Sequence, residues 1–266
     1  MAGKLIRLGS WLHAGRTFLV ALDTTIPRGL HPALAALDST LPWLTSGEVD
    51  GLVLHAGVAT RYAERLAGGC PWLMKLTTNS SLIPDRTVRG SIGSVEQALT
   101  LGASGVAINV FIGSAHEREH LRHLSDVVIE GARWGMPVVA FINPPEVDMF
   151  DAGALAYACR IGAELGADVI KTDFSGDQDS FAHVVAQCPV PVLVEESPLP
   201  MTPEGSRATA LGAVQAGGAG VLFGERIWAE SAGRQLAHDI RSIVHADGFR
   251  SMKRRHAGGT EPNIHR

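Results

Sequence analysis

Asp168-Val-Ile-Lys-Thr-Asp-Phe-Ser-Gly-Asp177 is a short apolar run that carries one lysine, Lys171, and breaks at Ser175-Gly176 into a polar turn. Alternate residues of a strand face one side, so Val169, Lys171 and Asp173 share a face. Upstream, Ala152–Leu165 has helical spacing and is followed by Gly166, where a left-handed stop is wanted before the next strand. Downstream, Ser180–Gln187 reads as another helix. The stretch is therefore the strand of a helix–glycine–strand–turn–helix unit.

The unit recurs along the chain. Strands are predicted at Thr17–Asp23, Gly51–His55, Pro71–Leu76, Gly105–Ile112, Pro137–Ile142, Asp168–Phe174, Val190–Val194 and Gly220–Phe223. They are apolar nearly throughout rather than alternating, which suits parallel strands covered on both faces. Further helices are expected at Val95–Leu101 behind the cap Ser94, at His116–Trp134, at Ser206–Ala216 and at Ala229–His245. Gly102, Gly135 and Gly217 repeat the stop role of Gly166. Eight strand–helix units in about 230 residues predict an α/β (βα)8 TIM barrel. An open doubly wound sheet is the rival, but no GxGxxG turn follows the first strand. Residues 1–247 are expected to form the single barrel domain, with residues 1–16 as a short extension covering its bottom. Residues 248–266, with Arg250, Lys253, Arg254 and Arg255, read as a basic, mobile tail.

Composition narrows the function. Of 266 residues, 45% are hydrophobic and 19% charged, as in soluble enzymes, and the net charge of −4 offers no nucleic-acid surface. No apolar run is long enough to span a membrane, and the N-terminus lacks a secretory apolar region. Cys70, Cys159 and Cys188 have neither zinc nor disulfide spacing, so a reducing cytoplasm is expected.

The working face of such a barrel lies at the C-terminal ends of its strands. The polar residues there are Asp23, His55, Lys75, Asn109, Asn143, Lys171, Asp173, Glu195, Glu196, Glu225 and Arg226. A lysine on a buried strand is costly unless it is paired, neutral or used for chemistry. As a neutral amine, Lys171 would attack a carbonyl and form an imine; alternatively its ammonium reaches solvent at the strand's end. Lys75 is either a second cation that activates it or the partner of a barrel carboxylate. Asp23 stands where a carboxylate would shuttle a proton, or else makes the turn before Thr24-Thr25. His55 titrates near neutrality or is a hydrogen-bonding core residue.

These residues resemble the archaeal-type class I fructose-bisphosphate aldolase family, which includes aminodideoxyheptulosonate synthases and related Schiff-base aldolases. Ile170-Lys171-Thr172-Asp173-Phe174-Ser175-Gly176-Asp177 is similar to the family's run around its imine-forming lysine. Ala21-Leu22-Asp23, Lys75-Leu76-Thr77 with Ser80-Ser81-Leu82, Ile112-Gly113-Ser114 and Gly135-Met136-Pro137 match further segments in order. The resemblance, from about Thr17 to Val244, implies a (βα)8 fold, Lys171 as the imine former and Asp23 as its acid/base partner. It also implies no metal or other cofactor, and a homo-oligomer.

Three departures stand out. Asn143 occupies the place of the family's proton-donor tyrosine; an amide cannot titrate, but it holds a water or a substrate hydroxyl. Glu195-Glu196-Ser197 replaces an Ala-Gly-Gly phosphate cradle, and Gly224-Glu225-Arg226 replaces Gly-Arg-Asn. A carboxylate repels phosphate, so the phosphate site is expected to be altered. Substrate contacts are expected from Lys75, His55, Asp173, Glu196, Gly224 and Arg226.

The expected function is metal-independent aldolase chemistry, forming or cleaving a C–C bond of a small carbonyl substrate, as a specialised biosynthetic enzyme. Whether that substrate carries phosphate is left open. Lys171 is the nucleophile, Asp23 the proton shuttle, and Asn143 with a water replaces the tyrosine. The alternative is a catalytically weakened barrel that binds a metabolite or a partner protein. An amine locked to an acid, with no room for a ligand, would favour that alternative.

Overall fold

In the computed structural model, which describes residues 2–195, 197–229 and 232–246, the eight apolar runs become eight parallel strands. They are β1 (Thr17–Ala21), β2 (Gly51–Leu54), β3 (Trp72–Lys75), β4 (Gly105–Phe111), β5 (Val138–Asn143), β6 (Val169–Thr172), β7 (Val192–Val194) and β8 (Gly220–Phe223). Each pairs with its neighbours in sequence, and β1 pairs with β8, so the sheet closes into a barrel.

Alternation sorts the strand residues into two cores. Leu19, Ala21, Val53, Leu73, Ala107, Val139, Phe141, Val169, Leu193 and Leu222 form one cluster. Phe18, Val20, Leu52, Leu54, Val106, Ile108, Ala140, Ile142, Ile170, Val221 and Phe223 belong to the larger one, with helix residues such as Leu124, Leu155 and Phe181. The first set fills the barrel and the second packs it against the surrounding helices. Both faces being dry explains the unbroken apolar runs, each buried aliphatic side chain contributing about 1.5–3 kcal/mol.

Helix Ala2–Gly9 leads to Trp11, which is fully buried in the interior cluster and donates its indole N–H to the Ser104 carbonyl at 3.3 Å. An aromatic ring thus fills the lower end of the interior.

The stops work as read: Gly102, Gly135, Gly166 and Gly217 all have positive φ. Ser94 caps its helix by accepting the Gln97 N–H, and Asp151 and Asp177 cap theirs in the same way. The helix expected over Ala229–His245 begins instead at Gly233, after a separate helical turn Glu225–Trp228. A Cβ on Gly233 would lie 2.2 Å from the Ile227 carbonyl oxygen, so the backbone at this helix start leaves no room for a side chain. Between β1 and β2 the chain makes helical turns Thr25–Arg28, Pro32–Ala35 and Leu37–Trp43, and after β3 a two-stranded antiparallel ribbon joins Thr77–Thr78 to Gly90–Ser91. Elements this short leave no periodicity to read. Among the described residues no helix is long and apolar enough to cross a membrane. The basic segment 248–266 and Glu196 lie outside the described residues.

Candidate active site

Register determines which side chains meet at the mouth. Phe141 of β5 lies opposite Lys171 of β6, Lys171 lies opposite Leu193 of β7, and Glu195 is two residues farther along β7's path. Alternation therefore turns Glu195 inward, just above Lys171. The two form an ion pair between Lys171 Nζ and Glu195 Oε2. The lysine is 2% exposed, so its ammonium does not snorkel to solvent.

Lys75, at the end of β3, is equally deep. Its Nζ lies 3.5 Å from Asp23 Oδ2, just past β1, and 3.5 Å from the centroid of the Phe141 ring. The Lys171 ammonium nitrogen lies 5.1 Å from the same centroid. One aromatic face thus serves as a floor under two amines, an attraction worth up to about 2 kcal/mol where water is excluded. Burial pushes the Lys75 ammonium down to about 8; Asp23 opposes the shift and the Lys171 charge adds to it. Lys75 thus lies beside a barrel carboxylate and shares the Phe141 ring with Lys171.

Glu195 is held below the ordinary carboxylate range. Its burial opposes ionisation, but the charge and hydrogen bond of Lys171, with Arg28 and Lys75 beyond, outweigh it. His55, at the end of β2, is buried, and its Nε2 has no hydrogen-bond partner. Burial lowers its basicity, Asp23 raises it and Lys75 lowers it again. Asp23, His55, Lys75, Lys171 and Glu195 therefore form one electrostatic group.

The other expected residues take distinct places. Asn109 is tied to the ribbon, donating its backbone N–H to Thr77 Oγ1 at 2.9 Å and accepting from that hydroxyl at 3.3 Å. Asn143 ends β5 and donates its side-chain amide to the Phe141 carbonyl at 3.1 Å. Asp173 is buried just past β6. Gly224 follows β8; a Cβ there would lie 3.4 Å from the Ala21 carbonyl and 3.8 Å from Trp228 Nε1. Arg226 is buried, donates to the Pro200 carbonyl at 3.3 Å and lies 5.8 Å from the Phe223 ring. Its neighbour Glu225 meets Arg28 at 3.6 Å, which ties the loop after β1 to the loop after β8. Glu196, expected to contact the substrate, lies outside the described residues.

Three participants carried no assigned role in the sequence. Glu195 stood among the polar strand-end residues, and only register shows that it meets Lys171. Phe141 could have been found from alternation, two residues before Asn143. Arg89 had no signal: the ribbon brings it to the mouth, over the Phe111 ring at 4.9 Å, where burial lowers it to about 10. Among the described residues no group of three His, Cys, Asp or Glu side chains is arranged to hold a metal ion.

The chemistry open to this arrangement follows from its groups. An amine at the centre of a dry mouth adds to a carbonyl, and adjacent carboxylates move the protons that the addition requires.

Known proteins with similar chains agree with this chemistry. The family model described as DeoC/LacD family aldolase matches residues 17–230. A 2-amino-3,7-dideoxy-D-threo-hept-6-ulosonate synthase from Halobacterium salinarum is 32% identical over 92% of this chain and 93% of its own length. A class 1 fructose-bisphosphate aldolase from Thermoproteus tenax is 28% identical over 91% of this chain and 94% of its own. An archaeal fructose-1,6-bisphosphate aldolase, solved with its catalytic lysine covalently bound to the carbinolamine intermediate of the substrate, superposes with a TM-score of 0.84 and 27% identity. It covers 91% of this chain and 99% of that one.

Proposed function

We propose that this chain, which belongs to the DeoC/LacD family of aldolases, forms or cleaves a carbon–carbon bond of a small carbonyl substrate through an imine on Lys171. The observation that carries the reading is the placement of Lys171 Nζ: buried, on the inner face of β6, beside a carboxylate and above an aromatic ring. The solved relative whose lysine holds a carbinolamine supports it.

In this reading Lys171 is the nucleophile and, once it is an iminium, the electron sink. Asp23 passes a proton to or from the substrate oxygen. Asn143 and a water occupy the mouth at the end of β5. Lys75, His55, Asp173, Glu196, Gly224 and Arg226 surround the substrate. The position of Glu195 supports an altered phosphate subsite, because a phosphate group above β7 would meet its carboxylate. The synthase from Halobacterium salinarum, more similar than the Thermoproteus tenax aldolase, supports a specialised biosynthetic carbonyl substrate.

Borohydride reduction in the presence of hydroxyacetone, dihydroxyacetone phosphate or pyruvate, followed by peptide mass mapping, tests the imine. Label on Lys171 is expected. Label on any other residue, or none with any of the three ketones, removes the mechanism.

The Lys171–Glu195 ion pair is also the one observation that favours the rival, a barrel that binds a metabolite or protein without turning it over. Under that reading Lys171→Ala leaves the biological role intact.

A further inference from the structure

Imine chemistry makes three proton demands at one nitrogen and its neighbouring carbon. The lysine must lose a proton to attack, the carbinolamine hydroxyl must leave as water, and a proton must come off the carbon next to the iminium. Asn143 has no titratable proton to offer. Asp23 lies across the mouth with its Oδ2 3.5 Å from Lys75 Nζ. Glu195, by contrast, has its carboxylate directly on Lys171 Nζ.

Resting on the imine reading of Lys171, we propose that Glu195 is the catalytic acid–base group that serves the nitrogen side of the reaction. Asp23 is left to serve the oxygen of the bond being made or broken. The ion pair is then the resting state of a proton relay, and it does not disable the lysine.

The Lys171 ammonium first gives one proton to Glu195. The free amine adds to the ketone carbon, an N–C bond forms, and the carbonyl π pair moves to oxygen. The N–H proton moves to that oxygen, giving a neutral carbinolamine. The Glu195 carboxylic acid protonates the hydroxyl, which leaves as water as the nitrogen lone pair forms the iminium. Glu195 is again a carboxylate, now beside a cationic nitrogen as it was at the start. It takes the proton from the adjacent carbon, and the C–H pair becomes the enamine double bond. No oxidant, reductant or metal enters.

Several charged groups tune Glu195. Lys171 is in contact, and Arg28 and Lys75 act from farther away. Asp23, His55 and Arg89 act on Lys75 or on each other. Asp173, buried just past β6, shares the strand face of Lys171.

The test separates this proposal from the reading beneath it. Wild-type protein, Glu195→Gln, Glu195→Asp and Glu195→Ala are each incubated with the three ketones. Borohydride trapping is followed by mass mapping, and deuterium exchange at the α-carbon is followed by NMR across pH. Wild-type trapping at Lys171 with α-exchange is the baseline; if it is absent, the imine reading itself fails. Given that baseline, Glu195→Gln is expected to slow exchange by about 100-fold and to erase the pH limb of a carboxylate. Glu195→Asp keeps the limb, and formate restores exchange in Glu195→Ala, which a purely structural contact does not allow. Exchange by Glu195→Gln at the wild-type rate with an unchanged pH profile overturns the proposal. If Glu195→Gln does not fold, Glu195→Ala decides in its place: exchange that formate leaves unchanged overturns the proposal.

Discussion

The two ends of the barrel both bury charge, and they do so in opposite ways. At the lower end Asp50, just before β2, is almost wholly enclosed. It accepts the Phe18 N–H at 2.7 Å, meets Arg241 at 2.5 Å and His245 Nε2 at 2.7 Å, and has His13 Nε2 at 3.8 Å. Asp168, just before β6, repeats the pattern, accepting the Val138 N–H at 2.8 Å with Lys4 at 3.0 Å. At the mouth, Asp23 and Glu195 face the side-chain amines of Lys75 and Lys171. Each lower carboxylate is pinned by a backbone N–H as well as by cations, and acts as a clasp. At the mouth each carboxylate meets a side-chain amine, which can move and give up a proton, where a barrel opens to its ligands. The same ingredients thus give stability at one end and reactivity at the other.

The contrast is tested most severely by removing the amine itself. Lys171→Met is expected to abolish ketone trapping and to cut turnover by at least about 1,000-fold, while the protein still folds. Mass mapping and circular dichroism check the two halves. If the variant turns over normally, the mouth is merely another clasp.

Asp50→Asn should do the reverse. Removing one partner of a buried ionic group costs about 3–5 kcal/mol, read from urea unfolding, while trapping at Lys171 in the folded fraction is unchanged. Burial raises the Asp50 carboxyl, but His245, the Phe18 N–H and Arg241 more than reverse this, so its folded value lies below the ordinary 3.8. A carboxyl depressed in this way contributes stability above about pH 4 and loses it as pH falls through the folded value. In Asp50→Asn that part of the acid sensitivity disappears.

The mouth shows the same dependence in a higher window, and there it comes from the cost of burying a cation rather than from the pairing of an anion. Lys75 titrates at about 8 when folded, against 10.5 for an ordinary lysine. Between those values the unfolded chain binds the extra proton, so stability rises with pH across that window. Unfolding of wild type and Lys75→Met at the two ends of the window checks this: the variant lacks the rise.

The smallest effect is expected of the shared floor. Phe141→Leu removes the ring face under both amines, a loss of about 0.5–2 kcal/mol of attraction to cations. Lys75 should then titrate lower still, observed by NMR of the labelled ε-carbon, and Phe141→Tyr should restore it.

Much of this was legible in the chain. The unbroken apolar runs, and the glycines with positive φ that end the helices before several of them, are local patterns that local sterics enforce. The shared inward face of Val169 and Lys171 also follows from two-residue alternation alone. The start of the last helix at Gly233 was not legible, because the close approach of the Ile227 carbonyl belongs to the backbone path and leaves no side-chain pattern. Arg89 was missed for a similar reason: two-residue strands carry no period.

The sequence by itself determined the number of units, their order, and which residues of the lysine-bearing strand share a face. Only the closed sheet decided which residues touch. The stagger of β6 against β7 sets Glu195 on Lys171, and closure of β1 onto β8 belongs to the same packing that brings Arg241 and His245 to Asp50. Side-chain direction is a property of one strand, whereas contact between charges depends on register across strands, and register is set by the whole barrel at once.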